Sequence, residues 1–363
     1  MPSKKALIAM SGGVDSSVAA LLAKKQGFDC IGCTMKLYDS DDVDSQCHSC
    51  CSLFDVEDAR SVAFRLGMPY HVFNFKDSFK ENVIDKFVGC YLNGITPNPC
   101  LDCNRFMKFD KLFLRAKILG CDYIVTGHYA RVCFENGKYI LKKALDATKD
   151  QSYVLYAMTQ EQLSHTLFPL GELNKTDVRK IAKENGFQNH NKPDSQDICF
   201  VPDGDYSAVI EKYTGKQSEL GNFINLKGEI IGKHKGIIHY TIGQRKGLGI
   251  SAKEPLYVCD IDAKKNIVVV GEEKDLFSKE AYVCDFNWIS GEVPNNEIKC
   301  KVKIRYRQNE QPATIIPLEN NNVKIVFDEP QKAITPGQAA VAYDGDIVIG
   351  GGIIMKKEKE YAL

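Results

Sequence analysis

The sequence predicts an α/β domain built on a parallel sheet, then a small β-rich central domain and a C-terminal β-barrel-like domain. Three observations predict this. Apolar strands and amphipathic helices alternate through the first half, the rhythm of a parallel sheet flanked by helices. A glycine- and serine-rich loop stands between the first strand and the first helix. Beyond about Tyr206 the helical rhythm stops, and short β-rich runs separated by turn residues take over. The expected divisions are 1–205, 206–275 and 276–363.

Taken in order, residues 5–10 read as a short apolar strand and 16–26 as a helix ending at Gly27. Residues 30–35 are a second strand. Val56, Ala59, Val62, Ala63 and Leu66 mark one helix face, closed by Gly67 and Pro69. Residues 70–75 are a strand, 79–92 and 108–119 helices, and 123–126 a strand. Ligands of such folds sit beyond the carboxyl ends of the strands. The later β-rich runs are 236–242, 256–261, 267–270, 299–306, 323–327, 339–342 and 347–349, with turn signals at 264–266 and 344–345.

Lys+Arg and Asp+Glu are both 47, so net charge carries no global signature of nucleic-acid binding, and a basic face has to be local. The 363 residues, 44% hydrophobic, are enough for more than one core. Residues 1–7 lack the apolar core of a signal peptide, and no apolar run is long enough to span a bilayer. A cytoplasmic monomer without a membrane partner is expected. Fourteen cysteines in a reducing compartment point to metal or sulfur chemistry, several being simply small buried residues, rather than to a disulfide framework.

The loop is Ser11-Gly12-Gly13-Val14-Asp15-Ser16-Ser17. Its glycines let the backbone approach a phosphate, its serines add hydroxyl donors, and the next helix aims free N–H groups at the same anion. The chain has no Gly-x-x-x-x-Gly-Lys-Ser/Thr run. The heptapeptide resembles the PP-loop of the N-type ATP pyrophosphatases, which cleave ATP between the α- and β-phosphates and adenylate a second substrate. That resemblance implies ATP held by Ala9, Met10, Ser11, Gly12, Gly13, Val14, Asp15 and Ser16, with Asp15 near Mg²⁺. Met35 and Gly127 would flank the nucleoside, although Met35 reads equally well as core filler.

Pro97-Asn98-Pro99-Cys100-Leu101-Asp102-Cys103 is a proline-braced loop leading into a helix, and a thiol near a helix N-terminus tends to a lowered pKa. Cys199 lies in Ser195-Gln196-Asp197-Ile198-Cys199-Phe200. These segments, with TGHYAR at 126–131, KDQSY at 149–153, HYTIGQRKGLG at 239–249, RYRQ at 305–308, FDEP at 327–330 and TPGQAAVAY at 335–343, resemble the tRNA-specific 2-thiouridylases from end to end. The resemblance implies an adenine nucleotide α-hydrolase-like first domain and ATP-dependent 2-thiolation of the wobble uridine (position 34) of tRNA. Uracil C2 oxygen is adenylated, and sulfur then arrives from a cysteine persulfide. Cys103 would be the nucleophile and Cys199 the persulfide carrier. Pro97, Asn98 and Pro99 would border the target base, and His128, Lys149, Asp150, Gln151, Arg305, Tyr306 and Gln338 would contact tRNA. The partners implied are the anticodon stem-loop and a sulfur-donor protein, a cysteine desulfurase or relay.

One position departs from the family pattern. Many members carry aspartate where this chain has Cys100, so Cys100, Cys103 and Cys199 together offer three ligands for a 4Fe–4S cluster with one open iron; persulfide chemistry without metal is the other reading. Cys47, His48, Cys50 and Cys51 form a second dense group, read as a mobile loop or sulfur relay rather than a zinc site, since a second ligand pair is missing. Lys299, Lys301, Lys303, Arg305 and Arg307 alternate as if along one sheet face. Lys233, Lys235, Arg245 and Lys246 lie among glycines and suit phosphate contact. An amidotransferase-type synthetase would share the loop without needing Cys103 and Cys199, and a tRNA-binding or sulfur-carrier protein would need no intact loop.

Overall fold

The computed structural model describes residues 3–38, 53–194, 197–201 and 204–357; Cys47, His48, Cys50 and Cys51 lie outside them. Strands β1 (Lys5–Ala9), β2 (Asp29–Lys36), β3 (Tyr70–Asn74) and β4 (Tyr123–Val125) form a sheet with a fifth, β7 (Thr166–Leu167). The order is β3-β2-β1-β4-β7 and every pairing is parallel. Chain order reverses between β1 and β4, which opens a crevice at their carboxyl ends. Helix α1 (Val14–Lys25) leaves β1 through the phosphate loop, burying Val14, Val18 and Leu21 against the sheet. Helix α2 (Leu53–Arg65) buries Ala59, Val62 and Ala63 on the same side.

On the other side lie α3 (76–92) and α4 (99–118). Both contain stretches wound with i→i+5 hydrogen bonds, Lys80–Ile84 and Cys103–Leu112. Such wide turns are rare and cluster at functional sites. Helix α4 starts earlier than the sequence suggests, at Pro99, because Asn98 caps it: the Asn98 side chain accepts from the Cys100 N–H at 3.1 Å, and proline occupies the first helical position.

The hairpin β5 (Ala130–Glu135) and β6 (Lys138–Lys143) joins the C-terminal sheet while keeping hydrogen bonds to Gln160 of the first domain. Its turn residues Asn136 and Gly137 both have positive φ, 51° and 80°, as a two-residue hairpin demands. Lys142 pairs with Ile347 of the C-terminal sheet. Helices α5 (Gln160–Ser164), α6 (Lys175–Glu184) and α7 (Tyr206–Thr214) follow. The middle region is a four-stranded sheet, β8 (Gly221–Ile224), β9 (Ile230–His234), β10 (Tyr257–Asp262) and β11 (Ile267–Gly271), ordered β10-β11-β8-β9. Residues 236–242 are not a strand: Gly236, at φ 117°, throws the chain into a single tight turn at Ile237–His239.

The C-terminal strands are β12 (Phe277–Trp288), β13 (Ile298–Lys303), β14 (Gln311–Pro317), β15 (Val323–Lys332), β16 (Ala339–Asp344) and β17 (Ile347–Ile354). They run β12-β15-β14-β13-β16-β17, and β17 returns to pair with β12, closing a six-stranded antiparallel barrel. Closure removes the sheet's open edges. Val283, Val302, Ile315, Ile325 and Phe327 fill it. Strand β13 stops at Lys303, so the basic alternation does not continue on one face. Ile304 is buried, and Arg305 lies in the turn that follows.

Candidate active site

The phosphate loop is held from behind. Gly12 takes φ 74°, and a Cβ there would lie 2.4 Å from the Asp55 carbonyl oxygen, so only glycine fits. Ser16 and Ser17 hydroxyls both donate to the Gly13 carbonyl at 3.0 Å, and the Ser11 N–H donates to Ser16 Oγ at 3.2 Å. The Asn189 amide donates to the Gly12 carbonyl and to Ser17 Oγ, both at 2.9 Å. Met10 is buried, and its carbonyl accepts from Thr34 Oγ1. Ala9 and Met35 both pack on the core cluster behind the crevice. Gly127, after β4, touches the loop rather than standing apart from it: a Cβ there would lie 2.8 Å from the Asp15 carbonyl carbon and the Ser16 nitrogen.

Asp15 is flanked by groups that sequence reading missed. Lys175 Nζ donates to both Asp15 carboxylate oxygens at 2.7 Å, and the Tyr129 hydroxyl donates to one at 2.8 Å. Lys175 also pairs with Asp194 at 2.8 Å, where Lys149 at 2.9 Å and Arg179 at 3.1 Å converge. Burial raises the Asp194 carboxyl, but hydrogen bonds from Lys175 and Lys149 outweigh it and hold the group below the usual carboxylate range. Lys192 ties the base of the loop to Asp55 and Asp58, at 2.6 and 2.7 Å. Three cations against Asp15 and Asp194 leave an excess of positive charge suited to a polyphosphate. Mg²⁺ takes one or two carboxylates and completes its shell with water and substrate phosphates, so Asp15 fits as its protein ligand.

Cys103 and Cys199 border one extended apolar cluster. Both are half-buried and pack on the same cluster, formed by Leu7, Cys33, Phe79, Phe87, Met107 and their neighbours. The Tyr38 hydroxyl donates to the Cys199 carbonyl at 2.7 Å, and Phe200 packs edge-on against Phe79 and Phe87. Asp102 pairs with Lys86 at 2.5 Å; burial raises its carboxyl, with Lys86 opposing. Cys100, in contrast, is exposed at the first turn of α4. Among the described residues no three His, Cys, Asp or Glu side chains converge to hold a metal ion. The 4Fe–4S reading of Cys100, Cys103 and Cys199 is therefore not supported: Cys100 is exposed while Cys103 and Cys199 are half-buried, and the three do not converge.

The loop bearing Pro97, Asn98 and Pro99 meets all three regions. The Thr96 N–H donates to the Pro336 carbonyl at 3.1 Å, and its hydroxyl lies 3.2 Å from that of Thr241. A cavity of about 270 Å³ opens beside it, lined by Lys86, Pro97, Asn98, Asp102, Cys284 and Lys356.

Several residues expected to touch tRNA also make contacts within the protein. His128 is buried, with Nδ1 2.7 Å from Thr126 Oγ1 and Nε2 3.2 Å from Lys108 Nζ. Asp150 accepts from the Ala144 and Ser152 N–H groups, and Gln151 exchanges hydrogen bonds with the Tyr129 backbone. Lys149 serves Asp194. Arg305 spends its guanidinium on the carbonyls of Ile242 and Ala333 and on Thr335 Oγ1, locking the middle region to the barrel. The Tyr306 hydroxyl donates to the Asp150 carbonyl at 3.2 Å. Lys233, Lys235, Arg245 and Lys246 are exposed.

A parallel sheet with this loop at its switch point defines an ATP-using PP-loop protein. Residues 4–203 match the family described as tRNA methyl transferase HUP domain, 207–272 the tRNA methyl transferase PRC-barrel domain, and 278–354 the aminomethyltransferase beta-barrel domain. The chain is 54% identical over 355 residues to tRNA-specific 2-thiouridylase MnmA of Clostridioides difficile (strain 630), covering 97% of this chain and 98% of that one. Similar proteins of the same name occur in Acetivibrio thermocellus (52%, covering 98% and 100%) and Clostridium acetobutylicum (52%, covering 97% and 99%). The chain belongs to the tRNA-specific 2-thiouridylase family. The domain descriptions speak of methyl transfer, but end-to-end identity above half outweighs a domain label. No helix among the described residues is long and apolar enough to cross a membrane.

Proposed function

We propose that this chain is a tRNA-uridine 2-sulfurtransferase acting on the wobble uridine (position 34) of the anticodon stem-loop, with ATP as co-substrate and Cys199 as the sulfur carrier. The observation that carries this reading is the packing of Cys103 and Cys199 on one extended core cluster that includes Leu7 of β1, the strand leading into the phosphate loop.

The loop and α1 N-terminus bind the triphosphate, with Lys175 as a direct ligand. Mg²⁺, held by Asp15, would neutralise phosphate charge. Uracil C2 oxygen attacks the α-phosphorus; the bond to the β-phosphate oxygen breaks, pyrophosphate leaves with its electron pair, and the N3 proton passes to solvent. Persulfide sulfur then replaces the oxygen at C2, expelling AMP. Cys103 thiolate attacks Cys199 Sγ and breaks the S–S bond, so a Cys103–Cys199 disulfide forms each turnover and an external thiol reduces it. A base in an anticodon stack is out of reach, so the uridine turns out into the space beside Pro97, Asn98 and Pro99. Residues 1–205 carry the chemistry, while 206–275 and 276–363 grip the stem through exposed lysines. A sulfur-donor protein, a cysteine desulfurase or relay, loads Cys199 in the cytoplasm, and the enzyme acts as a monomer.

The test is tRNA-dependent release of AMP and pyrophosphate, followed by 2-thiouridine formation when a persulfide donor is added. ATP turnover indifferent to tRNA would overturn the reading.

A further inference from the structure

Lys108 is a half-buried ammonium on the helix that carries Cys103, and among the described residues no carboxylate stands within ion-pair distance of it. Its described polar contact is His128 Nε2, at 3.2 Å. An ammonium can only donate, so Nε2 accepts; Nδ1 then carries the ring proton and donates to Thr126 Oγ1 at 2.7 Å. The neutral ring is fixed at both ends and closely packed by Phe109 and Phe168. A cation without a counterion, aimed by a locked imidazole, is not what packing alone requires, since an apolar residue would fill the space without desolvating a charge.

Two placements say what the ammonium faces. Residue 127, next to His128, lies directly against the Asp15–Ser16 backbone of the phosphate loop. Cys103 and Lys108 are five apart within the widely wound stretch Cys103–Leu112. With i→i+5 bonding the turn is wider, so residues five apart lie closer around the axis than in an ordinary helix, where they would point roughly 140° apart. The wide winding thus brings Lys108 towards the side of the helix that presents Cys103, while its tether leads back to the loop.

We infer that Lys108 is a catalytic residue for adenylation, its ammonium contacting the α-phosphate of ATP, and that His128 is the positioning residue that aims it. The inference rests on the proposed reaction. As uracil C2 oxygen bonds to the α-phosphorus and pyrophosphate departs with the electron pair, the non-bridging α-oxygens keep their negative charge. A preorganised ammonium stabilises that arrangement without solvent reorganisation. The same contact holds the phosphate of AMP when sulfur displaces it from C2.

The test is single-turnover pyrophosphate release from ATP with an unmodified tRNA transcript. Lys108→Met should slow it on the order of 100-fold, with ATP and tRNA affinities within about threefold of the parent. In Lys108→Ala, added ethylamine should restore at least part of the rate, in proportion to its concentration. His128→Leu, which keeps the packing but removes the acceptor, should show a smaller loss. A folded Lys108→Met protein with the parent rate, a loss confined to affinity, or a Lys108→Ala protein indifferent to amine would each overturn the inference. Failure of the parent itself to release pyrophosphate with tRNA would instead strike the reaction proposed above.

Discussion

Gln338 Nε2 donates to the Thr96 carbonyl at 2.9 Å, joining the barrel to the loop that leads into Cys103. Gly337 beside it takes φ 89°, and a Cβ there would lie 2.5 Å from Ile95 Cγ2. Gly337→Ala therefore incurs both a steric clash and a left-handed backbone, at least about 1–2 kcal/mol. Thiolation should fall by more than tenfold while ATP affinity stays near the parent's, measured by 2-thiouridine yield and nucleotide titration. Unchanged thiolation would show that the barrel does not hold the loop in its working form.

Lys175 is the residue most exposed to an easy test. Lys175→Met removes the cation shared by Asp15 and Asp194. ATP should bind about tenfold or more weakly, since a charge-assisted contact is lost and two carboxylates are left facing the phosphates. Affinity for tRNA should move by less than about threefold. Equal ATP affinity in calorimetry would remove Lys175 from the phosphate site.

Cys199→Ser should abolish 2-thiouridine but leave adenylation, because activation precedes sulfur delivery and the phosphate loop does not depend on the thiol. Quantifying AMP joined to tRNA decides it. A folded Cys199→Ser protein that no longer adenylates tRNA would contradict the division of labour.

Burial, with the Lys108 ammonium beside it, holds His128 well below the ordinary histidine range. A histidine depressed on folding contributes stability that is complete above the unfolded value, about 6.5, and is lost as pH falls below it. The melting temperature should therefore drop between pH 7 and 5, and His128→Asn should flatten that part of the profile. Parallel profiles for parent and variant would mean that the ring takes a proton without cost.

Arg305→Ala should lower the melting temperature and expose the middle region to protease, since the guanidinium bridges Ile242 to the barrel. It should hardly alter the salt dependence of tRNA binding. Replacing Lys233, Lys235, Arg245 and Lys246 by alanine should flatten the slope of log affinity against log salt by roughly 0.7–0.9 per lost phosphate contact. Equal slopes would move the tRNA face elsewhere.

What could be read from the chain was local. Ser11–Ser17, with a strand before it and a helix after, specifies its own turn, and the three-part architecture follows from periodicities that change near Tyr206. Lys175 reaches Asp15 from 160 residues away and Asp194 meets it only through Lys175, and nothing in their sequence neighbours marks either. Arg305 misled because the basic alternation continues in sequence past the point where Lys303 ends the strand. The Asn136-Gly137 dipeptide is a local hairpin signal that the reading of the sequence passed over, and the docking of that hairpin on the C-terminal sheet has no local signal at all.

That hairpin also bears on how the chain comes off the ribosome. Residues 130–143 are synthesised some 200 residues before the strand they will dock against, Ile347–Ile354. Throughout that interval β6 is an unclaimed edge, the kind that invites pairing with another nascent chain. Its sequence, Lys-Tyr-Ile-Leu-Lys-Lys, places lysines at both ends, the residues that best discourage such pairing. Lys142 and Lys143 then sit at the docking seam itself, where Lys142 lies opposite Ile347 and the Lys143 N–H donates to the Asp346 carbonyl. Residues that keep the early chain solitary thus become, once the barrel closes, part of the seam by which the hairpin is held against it.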